Sequence, residues 1–318
     1  MKLNKVPVLF LIFNRPDTTK KIFTEIRRYK PEQLFIAADG PRKNKLGEGI
    51  KCEDARRVTE KIDWPCKVKR LYRDKNLGCR KAVSSAIDWF FDNVKAGLIL
   101  EDDCFPGKSF FKFCELMLRK YENNSEVFHI GANNFQPRRT QFANGYYFSK
   151  YPHVWGWATW RRAWKHYDVG IKSWPSVKKK GILKKYWNNF WERIYWETIF
   201  DATYSDKIDT WDYQWLYTTW INNALSIVPG VNLVQNIGFN IESTHTSRRS
   251  ILFEKKAREM AFPLKVPKNN VKNLMFDNYE AIKNFHAEPL TITVLKARYF
   301  LDKYLSGIYK PIIKNGKK

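Results

Sequence analysis

The sequence predicts an α/β fold with a mostly parallel central sheet flanked by helices. Apolar segments alternate with amphipathic ones from the first residues, in the order typical of a parallel sheet. A second observation is the aliphatic run 98–100, which ends abruptly in Glu101, Asp102 and Asp103. Buried parallel strands have such continuous apolar runs, and open α/β sheets bind ligands beyond the carboxyl ends of their strands.

The acidic triplet is the first candidate site. Alternation along a strand predicts that Glu101 and Asp103 face one way and that Asp102 faces the other. Adjacent carboxylates repel one another unless a positive charge lies among them, and oxygen ligands of this kind suit a hard divalent cation. The alternative is a solvated acidic turn.

The first 135 residues are predicted to alternate between strands and helices. Strands are expected at 6–13, 34–38, 68–72 and 127–132. Asp17 is expected to cap the first helix, and a further helix begins near Cys79, directly after Asn76-Leu77-Gly78. Ser109 is expected to cap the helix that follows the acidic strand.

The middle of the chain has a different composition. Of the 13 tryptophans, 11 lie between Trp155 and Trp220. We expect a long aromatic helix at 182–202, a second helix at 212–224, and strands at 225–230 and 232–234. Most of the tryptophans should belong to the core, and a few should line a cleft, because indole rings also stack on sugars and bases.

The C-terminal part is predicted to be a basic helical extension. The compact core is expected to end near residue 250, and the segment 290–318 mixes aromatic and aliphatic residues with lysine and arginine. Such a segment suits an anionic membrane surface, and a docking helix with a solvated basic face is the alternative.

The overall charge implies an anionic partner. The chain has 318 residues, 44% of them hydrophobic, and a formal net charge of +25. Nucleic acid, an acidic membrane surface and phosphorylated substrates all fit that charge. The five cysteines lack Cys-x-x-Cys spacing, so we expect neither a zinc site nor a disulfide framework. No apolar run is long enough to span a bilayer, and the interpretation is a cytoplasmic protein.

Several motifs together resemble one family. A strand ends in Asn14-Arg15, another ends in Asp39-Gly40, a helix starts at Asn76-Leu77-Gly78, and Leu100-Glu101-Asp102-Asp103 is followed by Phe110-Phe111. In this order they resemble the GT-A glycosyltransferases, which use nucleotide-sugar donors. Within that family the chain is similar to the inverting N-acetylglucosaminyltransferase that initiates complex N-glycans and to its bacterial relatives.

The resemblance implies a GT-A catalytic domain over residues 1–250, with a nucleotide-sugar half at 1–135, an acceptor half at 136–250 and an extension at 251–318. It also implies donor contacts from the nucleotide-sugar half. Asp39 would bind the base and Asp102 the ribose, with Asn14, Arg15, Asn76 and Arg80 as further nucleotide-sugar contacts.

The catalytic roles follow the same resemblance. Asp103 would hold Mn²⁺ or Mg²⁺ at the donor diphosphate, with His245 as a second candidate ligand. Glu101 would lie close to the transferred sugar. Asp212, in the segment Trp211-Asp212-Tyr213, would be the general base, although a helix N-cap is an equally ordinary role for an aspartate there.

The function expected from all of this is metal-dependent, inverting transfer of a sugar from a nucleotide-diphosphate donor, such as a UDP-sugar, to a glycan or lipid-linked saccharide. Peripheral attachment to the inner face of the cell membrane would be consistent with the basic tail. Two alternatives are a nucleic-acid-binding protein and a sugar-1-phosphate nucleotidyltransferase. The sequence has no nucleic-acid recognition motif. A nucleotidyltransferase would require a glycine-rich phosphate loop near residue 14, and the sequence shows none there.

Overall fold

The computed structural model describes residues 5–187, 189–238, 255–285 and 287–297. Eight strands form one central sheet and two more form a small ribbon. The strands are β1 (Val8–Ile12), β2 (Gln33–Ala38), β3 (Lys67–Tyr72), β4 (Ala96–Glu101), β5 (Cys104–Pro106), β6 (Val127–Gly131), β7 (Tyr146–Ser149), β8 (Trp157–Trp160), β9 (Leu225–Pro229) and β10 (Val234–Asn236).

Helices cover the sheet and form a separate aromatic layer. They are α1 (Pro16–Tyr29), α2 (Glu48–Val58), α3 (Cys79–Asn93), α4 (Phe110–Lys120), α5 (Arg161–Trp164), α6 (Trp174–Lys180), α7 (Phe190–Tyr204), α8 (Asp212–Ile221) and α9 (Leu274–Tyr279). Short 3-10 turns lie at Arg138–Thr140 and Ile182–Tyr186, a π-helical turn covers Glu280–Asn284, and residues 289–297 are helical.

The order of the central sheet is β3-β2-β1-β4-β8-β6-β9-β7. The first four strands are parallel neighbours, and β6 pairs with β9 in parallel. Only β8 and β7 run against this direction. The predicted α/β fold with a mostly parallel central sheet is therefore confirmed, and the carboxyl ends of β1, β2 and β4 meet at one edge.

Two local predictions about helices were wrong. The first helix starts at Pro16, with Arg15 and not Asp17 as N-cap, because proline fits the first helical position. The aromatic segment 182–202 is not one helix: a 3-10 turn ends at Tyr186, and α7 begins at Phe190. Asn189 causes the new start, since its extended backbone and its side chain, which accepts from the Glu192 N–H, form an N-cap.

Ser109 is the N-cap residue of α4, but its side chain makes no capping bond. Instead its hydroxyl accepts a hydrogen bond from the Met260 N–H at 2.9 Å. The side chain therefore holds the C-terminal segment, a role that sequence spacing does not reveal.

A helical layer formed by α6, α7 and α8 packs beside the sheet. Its core is aromatic, with Trp174, Trp196 and Trp220 fully buried. Trp157 and Trp215 are buried in a second cluster against the sheet. The expectation that most tryptophans belong to the core therefore holds for these five.

Residues 255–285 lie along the edge strand β7. Single bridges pair Gly145 with Lys265 and Phe148 with Lys272, and α9 buries Phe276 and Asp277. The basic residues 298–318, for which membrane contact was predicted, lie outside the described residues. Within the described part of the chain, none of the helices combines the length and the apolar character needed to cross a bilayer.

Candidate functional site

The acidic triplet lies at the carboxyl edge of the sheet, where it was predicted. Strand β4 ends at Glu101, and Asp102 and Asp103 form a turn. The predicted alternation was wrong at this point, because both aspartates face the same guanidinium. Arg15 Nη1 lies 2.7 Å from Asp103 Oδ2 and 3.4 Å from Asp102 Oδ1.

Asp102 is the more enclosed of the two aspartates. Its Oδ2 accepts a hydrogen bond from the Phe13 N–H at 3.0 Å, which fixes the end of β1 against the end of β4. Burial and the neighbouring charge of Asp103 raise the pKa of Asp102 to about 7, while Arg15 opposes the shift. This carboxyl group holds the protein's own backbone and Arg15 in place.

Glu101 lacks the support that Asp102 has. Its side chain accepts no hydrogen bond from any residue that the structure describes. Burial raises its pKa well above the usual range, and the charges of Asp103, Asp102 and Asp212 add to the shift. The structure therefore brings Glu101 and Asp212, the two predicted catalytic residues, within electrostatic range of each other.

Asp212 is the first residue of α8, as predicted. Its Oδ1 accepts hydrogen bonds from the Tyr213 N–H at 3.0 Å and from the Thr210 hydroxyl. The N-cap position belongs to Trp211, so Asp212 does not fill the capping role that was the alternative. These two donors orient the Asp212 carboxylate at the start of α8.

The end of β2 forms the third part of the edge. Asp39 accepts hydrogen bonds from the Asn76 amide at 3.0 Å and from the Leu77 N–H at 3.1 Å. Burial raises the pKa of Asp39, although these bonds oppose the shift. A side chain at Gly40 would meet the backbone of Lys75 at 2.5 Å, so only glycine allows this approach. The structure thus brings together Asp39 and Asn76, two of the predicted nucleotide contacts.

Arg80 has a different environment from the one expected of a nucleotide contact. Its guanidinium lies 2.5 Å from Asp206 Oδ1. The backbone N–H groups of Cys79 and Arg80 both donate to Asp209, at 3.1 Å each. Asp209 therefore caps α3 from a position 130 residues further along the chain, and no local pattern could have identified it.

Asn14 also binds a side chain that the sequence analysis missed. Its amide donates to Glu48 Oε1 at 2.9 Å, and the same carboxylate accepts from the Arg42 N–H at 2.7 Å. Arg42 lowers the pKa of Glu48. Asn14 and Glu48 together hold the loop 42–48 beside the end of β1.

Strand β10 covers Asp103. The Ile237 N–H donates to the Asp103 carbonyl at 2.8 Å. A Cβ atom at Gly238 would lie 2.4 Å from Asp103 Oδ2, so the backbone can approach the carboxylate only because this residue is glycine. The predicted ligand His245 lies outside the described residues.

The described residues do not form a closed metal cage. They contain no group of three or more His, Cys, Asp or Glu side chains arranged to hold a metal ion. The donor set fits a looser site, because Mg²⁺ commonly binds one or two carboxylates and completes its shell with water and substrate phosphates. Asp103 supplies such a carboxylate, and a diphosphate would supply the rest.

Comparisons with known proteins give limited information. The sequence matches no protein-family model and no curated protein. HddC from Yersinia pseudotuberculosis is similar over 49% of this chain and 77% of that chain, with 9% identity and a TM-score of 0.30. TarS 1-349 from S. aureus is similar over 72% and 59%, with 9% identity and a TM-score of 0.38.

A UDP-glucose pyrophosphorylase complexed with UDP-glucose is similar over 51% of this chain and 70% of that chain, with 10% identity and a TM-score of 0.26. All three scores are below 0.5. The functional interpretation therefore rests on the geometry of the site.

Proposed function

We propose that this chain is a GT-A glycosyltransferase that transfers a sugar from a nucleotide-diphosphate donor, such as a UDP-sugar, to a glycan or lipid-linked saccharide. One observation carries the proposal. A carboxylate at the start of α8, Asp212, lies within electrostatic range of an acidic strand end whose Asp103 is held by Arg15. Groups that could neutralise a diphosphate and a group that could accept a proton thus converge at one edge.

The donor half of the site would bind the nucleotide. Asp39 and Asn76 already form one hydrogen-bonded unit at the end of β2, which suits recognition of the base. Arg15 is shared between two aspartates, so an incoming diphosphate would compete for its guanidinium and leave Asp103 available to a cation. Mn²⁺ or Mg²⁺ bound there would stabilise negative charge on the leaving diphosphate.

The acceptor half would supply the base. In an inverting reaction the acceptor oxygen forms a bond to C1 of the sugar while the bond from C1 to the diphosphate breaks. The acceptor proton would pass to Asp212, whose carboxylate is oriented by hydrogen bonds from Thr210 and Tyr213. Glu101, whose carboxyl group interacts electrostatically with both Asp103 and Asp212, would lie close to the transferred sugar.

The proposal can be tested with nucleotide sugars and Asp103→Ala. A donor should raise the melting temperature in the presence of Mn²⁺, since ligands that bind the folded state stabilise it. Asp103→Ala should lose that stabilisation and sugar transfer, whereas Asp54→Ala, a control at a surface ion pair with Arg57, should keep both. NMR of the product should show an inverted anomeric centre.

The nucleotidyltransferase alternative makes a different prediction in the same assay. It requires consumption of a nucleoside triphosphate and a sugar phosphate, with release of pyrophosphate. Pyrophosphate release that depends on Asp103, together with no release of nucleoside diphosphate from any nucleotide sugar, would contradict the glycosyltransferase proposal.

A further inference from the structure

Exposed apolar side chains lie at the start of α7 and on the 3-10 turn that precedes it. Phe190 and Trp191 have 57% and 43% of their surface exposed, and Ile182, on the preceding 3-10 turn, has 42%. Large apolar groups at this level of exposure cost free energy in water and mark contact surfaces when they occur together. We name the group formed by Ile182, Phe190, Trp191, Lys184, Lys185 and Arg193 the aromatic-basic surface.

Cations lie directly beside these apolar groups. Lys184, Phe190 and Arg193 line one surface depression, and the Arg193 guanidinium lies 5.2 Å from the centre of the Phe190 ring. Lys184 and Lys185 have no acidic partner among the described residues. Exposed Lys179 and Lys180 directly precede the turn and add to the charge.

The backbone of the aromatic-basic surface is anchored by neighbouring residues that are buried in the core. Leu183, between two of its residues, is buried in the core of the helical layer. Tyr186 stacks on Trp220 with ring centres 5.3 Å apart and an angle of 10° between the planes. Because the backbone beneath the exposed groups is anchored in this way, the groups are held in position before any partner binds.

We propose that the aromatic-basic surface docks on an anionic lipid bilayer. Aromatic and aliphatic side chains enter the boundary between headgroups and acyl chains, while lysine and arginine contact anionic headgroups. A flat sugar or base is a poorer fit, because the Phe190 and Trp191 rings meet edge to face at 78° and form no common platform. The exposed Ile182 also suits lipid better than it suits a stacked ring.

The position of the C-terminal segment supports the same partner. In the helical residues 289–297, Ile292 is buried in the aromatic cluster that contains Leu183, while Leu290 and Val294 are 78% and 60% exposed. The helical residues 289–297 therefore pack on the same layer as the aromatic-basic surface. This inference concerns attachment and does not depend on the proposed reaction.

The test is co-sedimentation of the full chain with two kinds of vesicle. One contains phosphatidylcholine alone, and the other is an equal mixture of phosphatidylcholine and phosphatidylglycerol. We expect the wild-type protein to sediment with the mixed vesicles only. Phe190→Ser with Trp191→Ser, and separately Lys184→Glu with Lys185→Glu, should each reduce binding by about tenfold.

The matched control is Lys43→Glu with Lys45→Glu. These exposed lysines also lie beside exposed apolar residues, Leu46 and Ile50, but no aromatic ring is exposed there. The control makes the same charge change and should bind mixed vesicles like the wild type. Circular dichroism and melting curves of all variants would verify that they fold.

Three outcomes would overturn the proposal. If the wild-type protein does not sediment with the mixed vesicles, it has no affinity for an anionic bilayer. Wild-type binding by both surface variants would place the contact elsewhere on the chain. Full binding by the serine variant, with loss in the glutamate variant and competition by soluble heparin, would indicate a site for polyanions instead of lipid.

Discussion

The carboxyl edge of the sheet and the helical layer differ in how their carboxylates are hydrogen-bonded and paired with charge. At the edge, Glu101 is half-buried, lacks a hydrogen bond from the described residues and is repelled by Asp102 and Asp103. In the helical layer, Glu192 is fully buried, yet it lies 2.7 Å from Lys150 Nζ and accepts a hydrogen bond from the Tyr151 hydroxyl. An acid that the fold leaves without a hydrogen-bond partner is a candidate for ligand binding, whereas a satisfied one is structural.

The largest effect is expected at the carboxyl edge, from Asp212→Asn. Removal of a general base lowers turnover by about 10²–10⁴-fold, because the acceptor hydroxyl then attacks without losing its proton to a carboxylate. Donor binding, measured by melting temperature with a nucleotide sugar, should remain. Unchanged turnover would exclude Asp212 as the base.

The second prediction compares Glu192→Gln with Glu101→Gln by urea denaturation. Glu192→Gln should lower the free energy of unfolding by about 3–5 kcal/mol, since it leaves the Lys150 charge buried without its partner. Glu101→Gln should leave the stability unchanged or raise it, because it removes repulsion from two aspartates. Equal losses in both variants would contradict the contrast between the two regions.

The third prediction concerns Asp209, which lies just before α8 in the sequence and accepts hydrogen bonds from the start of α3. Asp209→Ala should lower the free energy of unfolding by about 1–2 kcal/mol, because two N–H groups at the start of α3 lose their acceptor.

The control for Asp209 is Asp206→Ala. Asp206 lies in the same loop, but its side chain is 75% exposed and, among the residues that the structure describes, pairs with the Arg80 guanidinium alone. Asp206→Ala should lower the free energy of unfolding by less than about 1 kcal/mol. If the two variants lost the same amount, capping by Asp209 would contribute nothing.

The smallest effect is a change in pH dependence at Asp277. Burial raises its pKa from 3.8 to about 6, while Ser149 and Lys150 oppose the shift. Between these values the folded state retains a proton that the unfolded state has released, so this group makes stability fall as pH rises from about 4 to 6.

Asp277→Asn should therefore flatten the dependence of unfolding free energy on pH by up to about 1.4 kcal/mol per pH unit. Urea denaturation at several pH values measures the slope. Asp54→Asn, at a surface ion pair, is the control and should keep the wild-type slope. A wild-type slope in Asp277→Asn would show that the carboxyl titrates normally.

Local sequence signals predicted the positions of the residues that follow β1, β2 and β4. Strands β1, β2 and β4 are continuous apolar runs, and polar residues follow them directly, so Arg15, Asp39 and Asp103 could be placed from the sequence. Their proximity follows from parallel pairing, which requires that strand ends meet.

The remaining features depend on contacts between distant segments. Short strand β8 has the sequence Trp-Ala-Thr-Trp, which looks like part of a general aromatic region until it is paired between β4 and β6. From the sequence, Asp209 was interpreted as part of the segment that leads into α8, but its carboxylate accepts a hydrogen bond from the start of α3. The shared guanidinium between Asp102 and Asp103 required the turn geometry that replaced strand alternation.

The cap that Asp209 places on α3 also bears on how the chain is made. A ribosome completes β1 to β4 and α3 well before it reaches residue 209, so α3 lacks this capping carboxylate until then. Until then the first N–H groups of α3 bind water, and the loop around Gly78 lacks its partner. The carboxyl edge around α3 is therefore completed late in synthesis, although most of its residues are among the first to be translated.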